Sequence, residues 1–195
     1  MSSAASGAGP GFPPRYAPGL VLPAAPFLPG SGMPRPAPYL PPPDAPGWPD
    51  LPLHRDPAFR EGVDLYHHGY WWEAHERWEA PWRRAPRADP AHALLRGAIL
   101  LAASHLKRVQ GRPDGAARLL ERSLTHLERA ARAELLEQRP PAAGAALNGT
   151  GLDVAGLLAA VRAWSARQPA LAWPADPAAR RAALLEGLPR LWLPE

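Results

Sequence analysis

The sequence predicts an all-α fold, a compact bundle of about five to six helices preceded by a disordered proline-rich N-terminal tail. Three observations carry this expectation. No segment alternates apolar and polar residues at period two for long enough to argue for a sheet. Beyond residue 52, apolar residues recur at helical spacing through several consecutive stretches. Three Asp-Pro pairs, Asp56-Pro57, Asp89-Pro90 and Asp176-Pro177, stand where helices should begin. Asp accepts hydrogen bonds from the free amides of a first turn, and Pro at the first helical position sacrifices none.

Of the 28 prolines in the 195-residue chain, 16 fall within the first 52 residues. From Ser2 to about Pro52 the pattern is Pro, Gly, Ala and Ser with scattered Phe12, Tyr16, Phe27, Tyr39 and Trp48. No periodicity there could bury a face, so the stretch reads as disordered or polyproline-like. Pro34, Pro36, Pro38 and the run Pro41-Pro42-Pro43 could offer an extended ligand to an aromatic groove, but a solvated tail of biased composition is the simpler reading. The expected organisation is a tail over 1–52, a helical domain over 53–137, and a loop with C-terminal helices packing on the same core over 138–195.

The first helix is expected near 57–68, closed by Gly69, and the second near 70–83. In the second, Trp71, Trp78 and Trp82 share one side, with His75 on the same stripe and Glu79 and Glu76 progressively round its edge. The third helix, near 90–110 and closed by Gly111, carries a broad apolar arc of Leu94, Leu95, Ala98, Ile99, Ala102, Leu106 and Val109, with His105 inside it. Gly97 and Ser104 give it a second, small-residue surface for close approach of another helix. The fourth, near 113–136, turns Leu120, Ser123, Leu124 and Leu127 inward against a charged outer face, and pairs with the third as an antiparallel hairpin. After a loop containing Pro140, Pro141, Gly144, Asn148, Gly149 and Gly151, Asp153 caps a fifth helix to about Arg167, and Pro177 opens a sixth to about Glu186.

Composition excludes several function classes. There is no Cys, which removes disulfide scaffolds, thiolate zinc sites and thiol nucleophiles. The net charge of +4 is too weak for a nucleic-acid footprint, and the cluster Arg83, Arg84 and Arg87 suits the C-terminal end of a helix dipole. The longest strongly apolar stretch, Gly97 to Ala103, is far below the roughly 18 residues of a membrane span. With no charged leader and apolar run at the start, a cytoplasmic protein is the default expectation.

The residues with chemistry to offer are His75, Glu76, Glu79 and His105, expected to converge between the second and third helices beside a wall of Trp71, Trp78 and Trp82. His75 and Glu79 are helical neighbours four apart, and imidazole with carboxylate suits a divalent metal or general acid-base work. The structural reading is preferred: a buried polar network that fixes helix register, because buried polar groups need partners whether or not chemistry occurs. Asp64 and His67 share a three-residue offset but fall on the polar side of the first helix. Ser104, Ser123, Thr125 and Ser165 lie within helices, not at a nucleophile elbow, and Gly111-x-x-x-Gly115 lacks the Lys of a phosphate loop.

Glu73-Ala74-His75-Glu76, followed by Trp82 and, in the third helix, by Gly97-Ala98-Ile99 with His105, resembles a bacterial family known as domain-of-unknown-function family three hundred and nine. That family's pattern runs Gly-aromatic-x-Glu-Ala-His-Glu to Trp, then a Gly-Leu-Ile type helix, then Gly-Asn-x-x-Gly-Ala. The last element stands here as Gly111-Arg112-Pro113-Asp114-Gly115-Ala116, and Trp78 and Arg96 stand where the family usually has an aliphatic residue and Gln. The resemblance implies an all-helical, superhelix-like fold, so a short right-handed superhelix joins the compact bundle as an expected arrangement, and it implies no activity. The expected function is a binding or interaction module with a structural His/Glu core, without a cofactor, whose partner is an unknown protein or small molecule rather than nucleic acid or membrane. The alternative is a metal-dependent, hydrolase-like enzyme using His75, Glu76, Glu79 and His105.

Overall fold

The computed structural model describes residues 15–39, 51–137, 150, 152–168, 174–191 and 193. Among these there are six α-helices and no strand: α1 (Pro57–His67), α2 (Trp71–Arg84), α3 (Pro90–Val109), α4 (Pro113–Glu137), α5 (Val154–Arg167) and α6 (Pro177–Glu186). Each lies within about a residue or two of its expected span. The Pro41-Pro42-Pro43 run, Trp48 and the loop residues Pro140 to Gly149 and Gly151 lie outside the described residues. Among the described residues, no helix is long and apolar enough to cross a membrane.

Local chemistry explains the boundaries. Asp56, Asp89, Asp153 and Asp176 each accept a hydrogen bond from a first-turn amide, those of Phe59, Ala91, Gly156 and Ala179 respectively, which is what the Asp-Pro pairs and Asp153 predict. Gly69 (φ 78°) and Gly111 (φ 70°) adopt left-handed backbone after α1 and α3. The following amides, of Tyr70 and Arg112, reach back to the carbonyls of Leu65 and Lys107, both at 2.9 Å. This closure satisfies carbonyls that a helix end leaves unpaired, and glycine enters that backbone region without a Cβ penalty.

The α3–α4 hairpin is the most extensive helix pair and forms the centre of the molecule, with α2 on α3, α1 on α2, α5 on α4 and α6 against α3. Gly97 permits the close approach: a Cβ there would stand 2.8 Å from Leu127 Cγ. Ser123 Oγ uses the same gap to donate to the Gly97 carbonyl at 2.7 Å. On the other side of the core, Trp78 Nε1 donates to the Phe59 carbonyl at 3.1 Å, tying α2 to α1.

Residues 15–39 carry no regular secondary structure, in keeping with their composition, yet they lie against α1 and α2 instead of apart from them. Phe27 is buried, edge-on to Trp72 at 4.8 Å. Its amide donates to Glu73 Oε1 at 2.8 Å. Gln110 Nε2 donates to the Pro29 carbonyl at 2.9 Å. The segment is a strap over helix faces that the sequence assigns to solvent; residues 1–14 and 40–50 lie outside the described residues.

The α1–α2 contact depends on the absence of a side chain at Gly62, where a Cβ would stand 2.9 Å from Trp78 Cε2. Gly62→Ala should therefore lower stability by about 1–3 kcal/mol through overpacking, seen as a lower denaturant midpoint at unchanged slope. Gly115→Ala is the control: its nearest neighbour is 3.8 Å away, and its midpoint should be unchanged or higher.

Candidate functional site

The two histidines expected to meet are placed in different surroundings. His105, on the inner face of α3, is fully buried. Its ring stacks on Tyr66 of α1 at 5.6 Å and meets the Trp71 ring of α2 and the Trp164 ring of α5 edge-on, at 5.2 and 4.7 Å. His105 Nε2 lies 3.1 Å from the Tyr66 hydroxyl. Burial, with a smaller contribution from Arg108, pushes His105 down to about 3, and burial pushes the Tyr66 hydroxyl well above 10. Both groups are neutral. A phenol is the stronger donor and an imidazole nitrogen the stronger acceptor, so the Tyr66 hydroxyl donates to Nε2 and the remaining proton sits on Nδ1. Nδ1 has no hydrogen-bond partner among the described residues, and the edge-on indoles leave it an aromatic environment.

His75 lies on the outer margin of α2 with 29% of its side chain exposed. Its Nδ1 is 3.6 Å from Glu76 Oε1 and its Nε2 is 3.8 Å from Glu79 Oε1, beyond good hydrogen-bond length. Arginines engage those carboxylates: Arg83 pairs with Glu79, and Arg35 stands 4.0 Å from Glu76. Thus His75 has Glu76 and Glu79 beside it, while the contacts of His105 are with Tyr66, Trp71 and Trp164. Among the described residues, no three His, Asp or Glu side chains form a group able to hold a metal. Of the three tryptophans, two border the same aromatic group, since the Trp78 ring lies 5.7 Å from that of Tyr66. Trp71 lines the His105 cage, Trp78 locks α2 to α1, and the half-buried Trp82 faces His92 and Arg96.

Three buried polar residues escape the helical-wheel reading. Asp64 is 1% exposed and accepts hydrogen bonds from Arg15 Nε at 2.8 Å and from the amides of Tyr16 and Ala17 at 2.9 Å. His67, also buried, accepts from the Leu191 amide through Nε2 at 3.1 Å. Burial first, then Arg190 and His68, pushes it down to about 3. Glu73, whose wheel position points away from the tryptophan stripe, is buried beneath Phe27, and desolvation raises its carboxyl above the usual value. The partners lie 46 to 124 positions away in the chain, so helical periodicity carries no sign of them.

Residues 59–119 match the family described as Domain of unknown function (DUF309). The matched segment runs from α1 into α4 and holds Tyr66, Trp71, His75, Glu76, Glu79 and His105, while Trp164 and the N-terminal strap lie outside it. No curated protein and no solved structure matches the chain.

Two measurements follow from these geometries. His67 and His105 fall from 6.5 to about 3 on folding. Above pH 6.5 both are neutral folded or unfolded. Below it the unfolded chain binds protons that the folded chain refuses, so stability falls by about 1.4 kcal/mol per pH unit per histidine until about pH 3. His105→Gln should flatten that slope in a series of urea midpoints taken between about pH 6.5 and 4.5. Asp64→Ala removes the acceptor of three hydrogen bonds and should cost about 2 kcal/mol or more, with trypsin cutting after Arg15 many times faster than in the wild type.

Proposed function

We propose, on the premise that residues 59–119 belong to the DUF309 family, that this chain is a binding or interaction module whose aromatic and histidine interior holds helices in register and performs no chemistry. The observation that supports this reading is the enclosure of His105. Among the described residues its one polar contact is the Tyr66 hydroxyl, three aromatic rings surround it, and none of its surface is open to a substrate. A general base must reach a substrate proton within hydrogen-bond distance, directly or through one water. The metal-dependent alternative needs His105 beside His75 and Glu79, whereas among the described residues the charged groups paired with His75 are Glu76 and Glu79.

The test is elemental analysis of the purified full chain, with zinc and manganese titrations of the wild type, His75→Ala and Glu79→Ala. The interaction reading expects no stoichiometric metal and stability in both variants within about 0.5 kcal/mol of wild type, as for other partly exposed positions. One equivalent of metal, lost in both variants while the melting profile is retained, would overturn it in favour of the enzyme.

A further inference from the structure

The arginine cluster seen in the sequence divides in the fold. Arg84 turns back to Asp56 at 2.6 Å, whereas Arg83, which pairs with Glu79, and Arg87 both border a hollow of about 510 Å³ shared with His92, Arg96, His126 and Arg129 over Trp82. Three elements build it: the end of α2 with its loop, the first two turns of α3, and the middle of α4. His92 and Arg96 are four apart on α3, and His126 and Arg129 three apart on α4, so each helix presents a His and an Arg from one face.

Among the described residues, no carboxylate lines this hollow. Arg129 donates to the Arg87 carbonyl at 3.4 Å and Arg96 lies over the Trp82 ring at 4.9 Å. Among the described residues, Arg87, Arg96 and Arg129 have no ion pair, whereas Arg15, Arg77, Arg84 and Arg162 each meet an acid. Both imidazoles feel the excess. Burial first, then Arg129, Arg87 and Arg96, lowers His92 against a weaker upward pull from Asp89. His126 is lowered by burial, then by Arg96, Arg122, Arg129 and His92. Three guanidinium groups without an ion pair among the described residues and two imidazoles thus converge on one space, where the nearby acids are Glu79, held by Arg83, and Asp89, which acts on His92.

We propose that this hollow binds the phosphate group of a small phosphorylated molecule, with Arg87, Arg96 and Arg129 as donors, His92 and His126 beside them, and Trp82 as the floor. A tetrahedral, doubly charged anion can accept from several forks at once, while a single carboxylate is satisfied by one. The volume falls in the range of small-ligand sites, and the cations converge instead of tracking along a face as a polyanion requires. The inference goes beyond the interaction reading and does not depend on it.

The test is calorimetric titration of the full chain with inorganic phosphate and pyrophosphate in chloride buffer, together with carbon-detected histidine resonances. Expected are saturable binding at one site, apparent pKa values of His92 and His126 that rise with phosphate, and a His105 resonance that does not move. Arg96→Gln and Arg129→Gln should each weaken binding about tenfold or more, the usual worth of a charge-assisted bond, and Arg167→Gln on α5 should leave it unchanged. Arg87→Gln, on an exposed loop, gives the same reading should either helix variant fail to fold. The proposal is overturned by absence of saturable phosphate or pyrophosphate binding, or by equal weakening in Arg167→Gln. It is also overturned by binding confined to single-stranded oligonucleotides with steep salt dependence, or confined to vesicles containing anionic lipid.

Discussion

His105 joins α3 to α1 through Tyr66, to α2 through Trp71 and to α5 through Trp164, and burial keeps its ring uncharged. An imidazolium sealed in this cage would face an effective desolvation penalty of several kcal/mol with no acid to pair it. A neutral ring has two unlike nitrogens, one accepting and one donating, and the single phenol available satisfies the acceptor. The register of four helices is therefore tied to one tautomer of one side chain. The tryptophans contribute area, and His105 with Tyr66 contributes the direction in which that area must be assembled.

The same helices are held from outside by the two ends of the described chain. Arg15, Tyr16 and Ala17 all bond to Asp64, Leu191 bonds to His67, and the Leu193 amide donates to the Tyr16 hydroxyl at 3.3 Å. Both terminal segments thus meet over α1. A segment rich in proline loses less backbone freedom on docking than an ordinary loop, so a few directed hydrogen bonds and one buried aromatic, Phe27, suffice to hold it without regular secondary structure. What results is a helix, α1, whose polar side is as enclosed as its apolar side.

Element boundaries were legible because caps are local: Asp56, Asp89, Asp153 and Asp176 bond to amides two or three residues away, and Gly69 and Gly111 act where they stand. The inward side of α3 was legible too, since periodicity alone places His105 within an apolar arc. A wheel places His75 on the tryptophan stripe but does not say where that stripe's margin meets solvent, and His75 is part-exposed while His105 is fully buried. The burial of Asp64, His67 and Glu73 was illegible for another reason: their partners lie on segments whose composition signals disorder or which carry no helical period. The basic hollow falls between these cases, because Arg87 belongs to a visible cluster while Arg96 and Arg129 join it only through the packing of α4 on α3. The segment that matches the family model contains three of the four rings of the cage, and Trp164 comes from α5, beyond it.

The most direct measurement is the nitrogen NMR spectrum of the His105 ring in the full chain, recorded near neutral pH and again near pH 5. The account predicts one neutral tautomer at both, protonated at Nδ1 and accepting at Nε2, with no titration in between. Two equivalent protonated nitrogens near pH 5, or rapid averaging between tautomers at neutral pH, would show that the ring is open to solvent and would contradict the role assigned to it.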